Sequence, residues 1–199
     1  MKVVLQNLTK RFPNRNKHVK EDVIAVNDFT VEVPDGILVG LLGPPGCGKS
    51  TIGAAIAEIT GRKLTDTDTL IEEMTGKHPS AIIREMGEPE FRRIETEAVK
   101  QASKMSGVII ACGGGVVTRA ENIPLLRQNG KIFYLDCPTD ELALTPDRPL
   151  SQSLKALNSL YAVRAPLYHE AADSVIPISH RESPLTAANK IMNTFTELI

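Results

Sequence analysis

No apolar run in this 199-residue chain approaches the length, about 20 residues, that a membrane-crossing helix needs, and a spanning anchor is therefore not expected. Met1 to Lys10 lacks the continuous apolar core of a secretory leader, so the expected location is the cytoplasm. Cysteine is scarce. Cys47, Cys112 and Cys137 make an odd count without metal-ligand spacing, which argues against a disulfide framework or thiolate metal site and for free, reduced thiols. Excess charge of either sign is missing as well, because 23 basic residues oppose 24 acidic ones for a net charge of −1. Nucleic-acid binding would show as a strongly basic face, so no such partner is expected. The one local exception, Lys10, Arg11, Arg15, Lys17 and Lys20, is set among Asn and Pro and reads as a solvated loop. This length has room for one α/β domain with a full core and an appendage, not for two large domains. A monomer is expected.

What is present is concentrated between Gly43 and Thr51, which read GPPGCGKST, a phosphate-binding loop of the G-x-x-x-x-G-K-[ST] type. Glycines at 43, 46 and 48 let the backbone wrap a polyphosphate with successive N–H groups aimed at its oxygens, and a helix starting near Ser50 adds its positive end. Lys49 then reaches the β and γ phosphates, and the Ser50 hydroxyl is placed to ligate Mg²⁺. The nucleotide contacts expected here are Gly46, Cys47, Gly48, Lys49, Ser50 and Thr51, with ATP and Mg²⁺ as cofactors. The apolar run Ile37 to Leu42 supplies the buried strand that the motif must follow.

Beyond the loop, short apolar strands alternate with amphipathic helices, which predicts an α/β fold with a parallel sheet covered on both faces. Strands are expected at about Leu64–Thr65, Val108–Cys112, Lys131–Leu135 and Val175–Ile178. Phe91, Ile94, Ala98, Ala102 and Met105 recur at helical spacing, as do Leu154, Leu157, Leu160 and Tyr161, and Pro184 to Ile199 reads as a closing helix. Residues 1 to 36 differ, since VVLQNLTKRF and VIAVNDFTVEV alternate like two antiparallel strands with no helix between them. They predict an N-terminal β hairpin (1–36) in front of the main domain (37–199).

The remaining chemistry lies at expected strand ends. Asp66 and Asp68 stand at the mouth of the ligand crevice, one suited to the Mg²⁺ shell and the other to accepting a proton, with helix capping by Asp68 as the plainer role. Arg92 and Glu95, three apart in GEPEFRRIETE, share one helix face and are a surface ion pair or something more. Gly113, Gly114 and Gly115 follow the strand VIIAC, where close approach of a ligand to the main chain competes with a plain tight turn. Arg148 in DRPL falls in a turn-rich stretch, followed by a helix expected to end at Arg164 in RAPLY. An arginine in such a segment can close over the phosphates.

In this order and spacing, GPPGCGKST, the DTD of Asp66 to Asp68, GEPEFRRIE, GGG, DRPL and RAPLY resemble shikimate kinase over about two thirds of the chain. The resemblance implies the P-loop NTPase fold of the nucleoside-monophosphate-kinase type and transfer of a phosphoryl group from ATP to the 3-hydroxyl of shikimate. It implies Lys49, Asp68 and Arg148 as catalytic residues and Ser50 and Asp66 at the metal. Asp68, Arg92, Glu95, Gly113, Gly114, Gly115 and Arg164 would hold shikimate, with Glu95 orienting Arg92, and Arg148 and Arg181 would face the nucleotide. Cys112 departs from the threonine common before the three glycines, and the lid DELALTPDRPL is short. Residues 1 to 51 resemble instead the start of an ABC transporter ATP-binding subunit, in which an aromatic near Phe12 would stack on adenine. No LSGGQ-like signature or switch histidine follows, so the chain reads as a hybrid whose catalytic body is the kinase. A nucleotide-binding relative with impaired turnover and an ABC-type ATPase fragment are the alternatives.

Overall fold

The computed structural model describes residues 3–12, 23–33, 36–138, 142, 153–179 and 181–199. Strand β3 (Leu38–Leu42) is apolar on both sides, and all five of its residues are buried. A strand of that kind is stable only with both sheet faces covered. It is the centre of a five-stranded sheet in the order β4-β5-β3-β6-β7. The other strands are β4 (Leu64–Asp66), β5 (Ile109–Ala111), β6 (Gly130–Asp136) and β7 (Ser174–Pro177), and every pairing is parallel. All of the strands therefore present their carboxyl ends to one edge. The P-loop, Asp66 and the triple glycine all leave the sheet there.

Strand periodicity divides the core in two. Val39 and Leu41 of β3 and Phe133 and Leu135 of β6 pack with α1 (Lys49–Thr60) and α7 (Pro184–Glu197). Leu38 and Leu42, with Ile132 and Tyr134, face the opposite layer instead. That layer contains α2 (Thr67–Thr75), α3 (Pro79–Met86), α4 (Glu88–Ser103), α5 (Asn122–Arg127) and α6 (Leu154–Ala171). The helix ends follow sequence chemistry. α1 stops at Gly61 and α2 at Gly76, both in the left-handed conformation, and Ser153 and Ser183 cap the starts of α6 and α7 through their side chains.

The predicted parallel sheet and N-terminal hairpin are both present. β1 (Val3–Phe12) and β2 (Val23–Val33) pair antiparallel, and β2 runs beside α7. One expectation is corrected. α6 does not end at Arg164 but continues through Pro166 to Ala171. The proline removes the N–H that would bond the carbonyl of Ala162, a residue on the exposed side of the helix, while Arg164 and Tyr168 on either side of it are buried. Burial on the inner face outweighs the lost bond.

Phe195 of α7 is fully buried with its ring centroid 6.2 Å from that of Phe133. Phe195→Ala is expected to lower stability by about 3–5 kcal/mol. Urea unfolding should show a lower midpoint at an unchanged slope, and a loss below about 1 kcal/mol would mean that the α7 layer is not part of the cooperative core.

Candidate functional site

The loop between β3 and α1 takes its shape from glycine. Gly46 and Gly48 have φ of 87° and 85°, a region that side-chain-bearing residues seldom occupy. Gly48 is the N-cap of α1 and supplies no side-chain cap, so the first-turn N–H groups are left to serve a ligand. Lys49 is buried. Its Nζ donates to the carbonyls of Gly43 at 2.8 Å and Pro44 at 2.9 Å and lies 3.6 Å from Cys47 Sγ.

Ser50, one residue on, donates its hydroxyl to Asp66 Oδ2 at 2.6 Å. The other Asp66 oxygen accepts the backbone N–H of Asp68 at 2.9 Å and so caps α2. The capping role weighed for Asp68 belongs to Asp66 instead, and Asp68 sits in the first turn of α2. There the helix start favours a carboxylate. Among the described residues no cluster of three or more His, Cys, Asp or Glu has the makings of a metal site. The Ser50–Asp66 pair offers one hydroxyl and one carboxylate, hard oxygen donors of the type Mg²⁺ takes when phosphate and water complete its shell.

The third part is an ion cluster on α4. Arg92 donates Nη1 to Glu95 Oε2 at 2.8 Å, and Nε and Nη2 both reach Glu88 Oε1, at 3.2 and 2.9 Å. Glu95 is 1% exposed, so this is not the surface ion pair of the plainer reading. Burial pushes its carboxyl up against the pull of Arg92, with the charge of Asp68 adding to the rise. For Arg92, burial opposes the charge, but Glu95 and Glu88 together hold the guanidinium firmly protonated. Arg164, also buried, comes from α6, with Nη1 donating to Gly114 O at 3.2 Å and Nη2 lying 3.8 Å from Glu88 Oε1.

The triple glycine joins these parts. Its residues are not in the left-handed region; space is what excludes a side chain. A Cβ on Gly113 would lie 2.7 Å from Glu95 Oε1 and 3.0 Å from Asp68 Oδ1. On Gly114 it would lie 2.9 Å from Pro45 Cδ of the P-loop, and on Gly115 2.1 Å from Arg92 Nη1. The nucleotide loop, the acidic turn and the arginine cluster thus meet on one turn. The protein's own side chains already crowd the main chain at these glycines.

Sequence reasoning passed over three residues of this site. Thr67 Oγ1 accepts the N–H of Gly113 at 2.8 Å, the Tyr168 hydroxyl donates to Gly114 O, and Glu88 bridges the two arginines. Glu88 and Tyr168 stood inside quoted motifs, and the i to i+4 spacing of Glu88 and Arg92 was a usable signal. Arg181 is exposed in the turn between β7 and α7, with its N–H on Ser179 Oγ at 3.2 Å. Beside it a cleft of about 540 Å³ is lined by Asp136, Cys137, Tyr161, Ile178 and Glu182. Arg148 lies outside the described residues. Cys47, Cys112 and Cys137 are buried and form no disulfide, and burial raises the Cys112 thiol far above its usual range.

Residues 45–198 match the family model described as Shikimate kinase. The chain belongs to the shikimate kinase family. It is 40% identical over 149 residues to a shikimate kinase of Psychrobacter cryohalolentis, covering 71% of this chain and 80% of that one. With the shikimate kinase of Xylella fastidiosa it shares 36% identity over 163 residues, 78% of this chain and 90% of the other. Among solved structures, shikimate kinase from Acinetobacter baumannii in complex with shikimate superposes with a TM-score of 0.77 at 32% identity, over 81% of this chain and 94% of that one. The family match begins inside the P-loop and leaves the hairpin outside it.

Gly115→Ala is expected to push the Arg92 guanidinium off its partners and to cost about 1–3 kcal/mol, the scale of overpacking a closed site. Gly40→Ala is the comparison, since a Cβ there meets nothing nearer than 3.6 Å. Equal melting temperatures for the two variants would show that the Gly115–Arg92 contact is loose.

Proposed function

We propose that the chain transfers the γ-phosphoryl group of ATP to the 3-hydroxyl of shikimate, in the cytoplasmic route to chorismate and the aromatic amino acids. What supports this most is the triple-glycine turn, on which the phosphate loop, Asp68 and Arg92 converge. A hydroxyl held over Gly113 and Gly114 lies between a carboxylate and the loop that binds the phosphoryl donor.

In this reading the residues from Gly46 to Thr51 cradle the triphosphate, and Lys49 exchanges its loop carbonyls for phosphate oxygens. Ser50 and Asp66 hold Mg²⁺, which when bound draws off charge from the phosphates. Asp68 accepts the proton of the attacking hydroxyl. Arg92 and Arg164 take the shikimate carboxylate, because planar guanidinium groups match it bidentately, and Glu95 fixes Arg92 from below. Gly114 offers its backbone to the acceptor. Arg148 is assigned to the phosphates and Arg181 to the adenine, which would enter by the cleft at the ends of β6 and β7. The chain acts as a monomer here, and residues 1–36, for all their resemblance to the start of a transporter subunit, take no part in the chemistry. Among the described residues no helix is long and apolar enough to cross a membrane.

Two measurements test the reading. A coupled assay of ADP release should show turnover with shikimate and none above background with gluconate or water, and Asp68→Asn should cut kcat by about 10²-fold or more. ADP release that ignores shikimate would instead make the chain a nucleotide-binding module. Arg92→Lys and Arg164→Lys should each raise the KM for shikimate about tenfold or more and leave that for ATP within about twofold. Equal weakening of ATP would remove both arginines from the acceptor site.

A further inference from the structure

The arginine pair of α4 and α6 already holds a carboxylate. Glu88 Oε1 accepts from both Nε and Nη2 of Arg92, the edge of a guanidinium that takes a carboxylate side-on, and stands 3.8 Å from Nη2 of Arg164. The remaining corner of Arg92, Nη1, is committed to Glu95. Two guanidinium charges thus face two carboxylates, and the arginines already have counterions before any substrate enters. Its two acids are held very differently. Glu95 is fixed at 1% exposure, while the side chain of Glu88 is 41% exposed at the first turn of α4 and has open water to move into.

An anionic acceptor that comes to this pair must therefore share it with Glu88 or displace it. Sharing would set two carboxylates around one guanidinium edge, which like-charge repulsion opposes. Resting on the assignment of Arg92 and Arg164 to the substrate carboxylate, we propose that Glu88 is an internal substitute for that carboxylate. It keeps the two arginines neutralised in the free enzyme, leaves when the acceptor binds, and returns to expel the product, which carries the same carboxylate. Glu88 sets specificity through the arginines and touches no reacting atom. Its effect falls on every carboxylate-bearing ligand of this site and not on ATP.

Glu88→Gln keeps the size of the side chain and removes the competing charge. The expected result is a KM for shikimate and an inhibition constant for shikimate 3-phosphate that both fall about three- to tenfold, with the KM for ATP within about twofold. Calorimetric titration of shikimate without nucleotide should show the same tightening, and a melting temperature near that of the parent confirms the fold. A KM for shikimate that stays level or rises overturns the proposal, since Glu88 would then only hold Arg92 in place. Raising the salt concentration separates the cases further, because added chloride should weaken shikimate binding more in the Gln variant, whose arginines have lost their own counterion. Should Arg92→Lys leave shikimate binding untouched, the assignment of the arginine pair itself fails. That result is independent of what Glu88→Gln does.

Discussion

The site depends on a pair of charges taken out of water. Glu95 and Arg92 lie one turn apart on α4, at 1% and 10% side-chain exposure and 2.8 Å from each other. Desolvating two ions costs several kcal/mol each, and their attraction offsets that cost only when the geometry is tight and the other polar atoms are served. Arg92 meets this condition through Glu88. Glu95 does not meet it fully, because its Oε1 is buried with no hydrogen-bond partner. An orphaned acceptor of this kind is unfavourable for folding alone. It faces Gly113 and Asp68, so the cost is concentrated at the turn where the phosphate loop, the acidic turn and the arginine cluster meet.

Much of this was legible in the sequence, and the parts that were legible share a cause. The central strands β3 and β5 are apolar runs bounded by loops, and the P-loop carries its mechanism in its spacing, so both are local facts. Local facts survive reading in one dimension. The end of α6 was misplaced because the proline in RAPLY is a strong local breaker, whereas the burial of Arg164 and Tyr168 that carries the helix past it is tertiary. The helix cap weighed at Asp68 falls two residues earlier, at Asp66, for a similar reason. Either aspartate can cap a helix by propensity, and only the bond from Ser50, 16 residues earlier, ties Asp66 to the phosphate loop and leaves Asp68 facing the glycines.

The glycines show most sharply where one-dimensional reading stops. Gly46 and Gly48 are required by conformation, since the loop turns through positive φ at both, and sequence spacing reveals that. Gly113, Gly114 and Gly115 have ordinary backbone angles and are required by volume, because Glu95, Pro45 and Arg92 occupy the space a Cβ would take. The same residue type thus answers two physical demands at the two loops. An alanine in the first strains the backbone, and an alanine in the second displaces a packed neighbour, a charged one at Gly113 and Gly115 and Pro45 at Gly114. The second loop is therefore the more fragile joint between the phosphate loop and the arginine cluster. Gly114 rests on Pro45 while its carbonyl receives Arg164 and Tyr168, so a shift of the phosphate loop is passed directly to the buried arginine of α6. Two substrates that meet at a single hydroxyl need their sites held in register, and three side chains' worth of missing volume provides it.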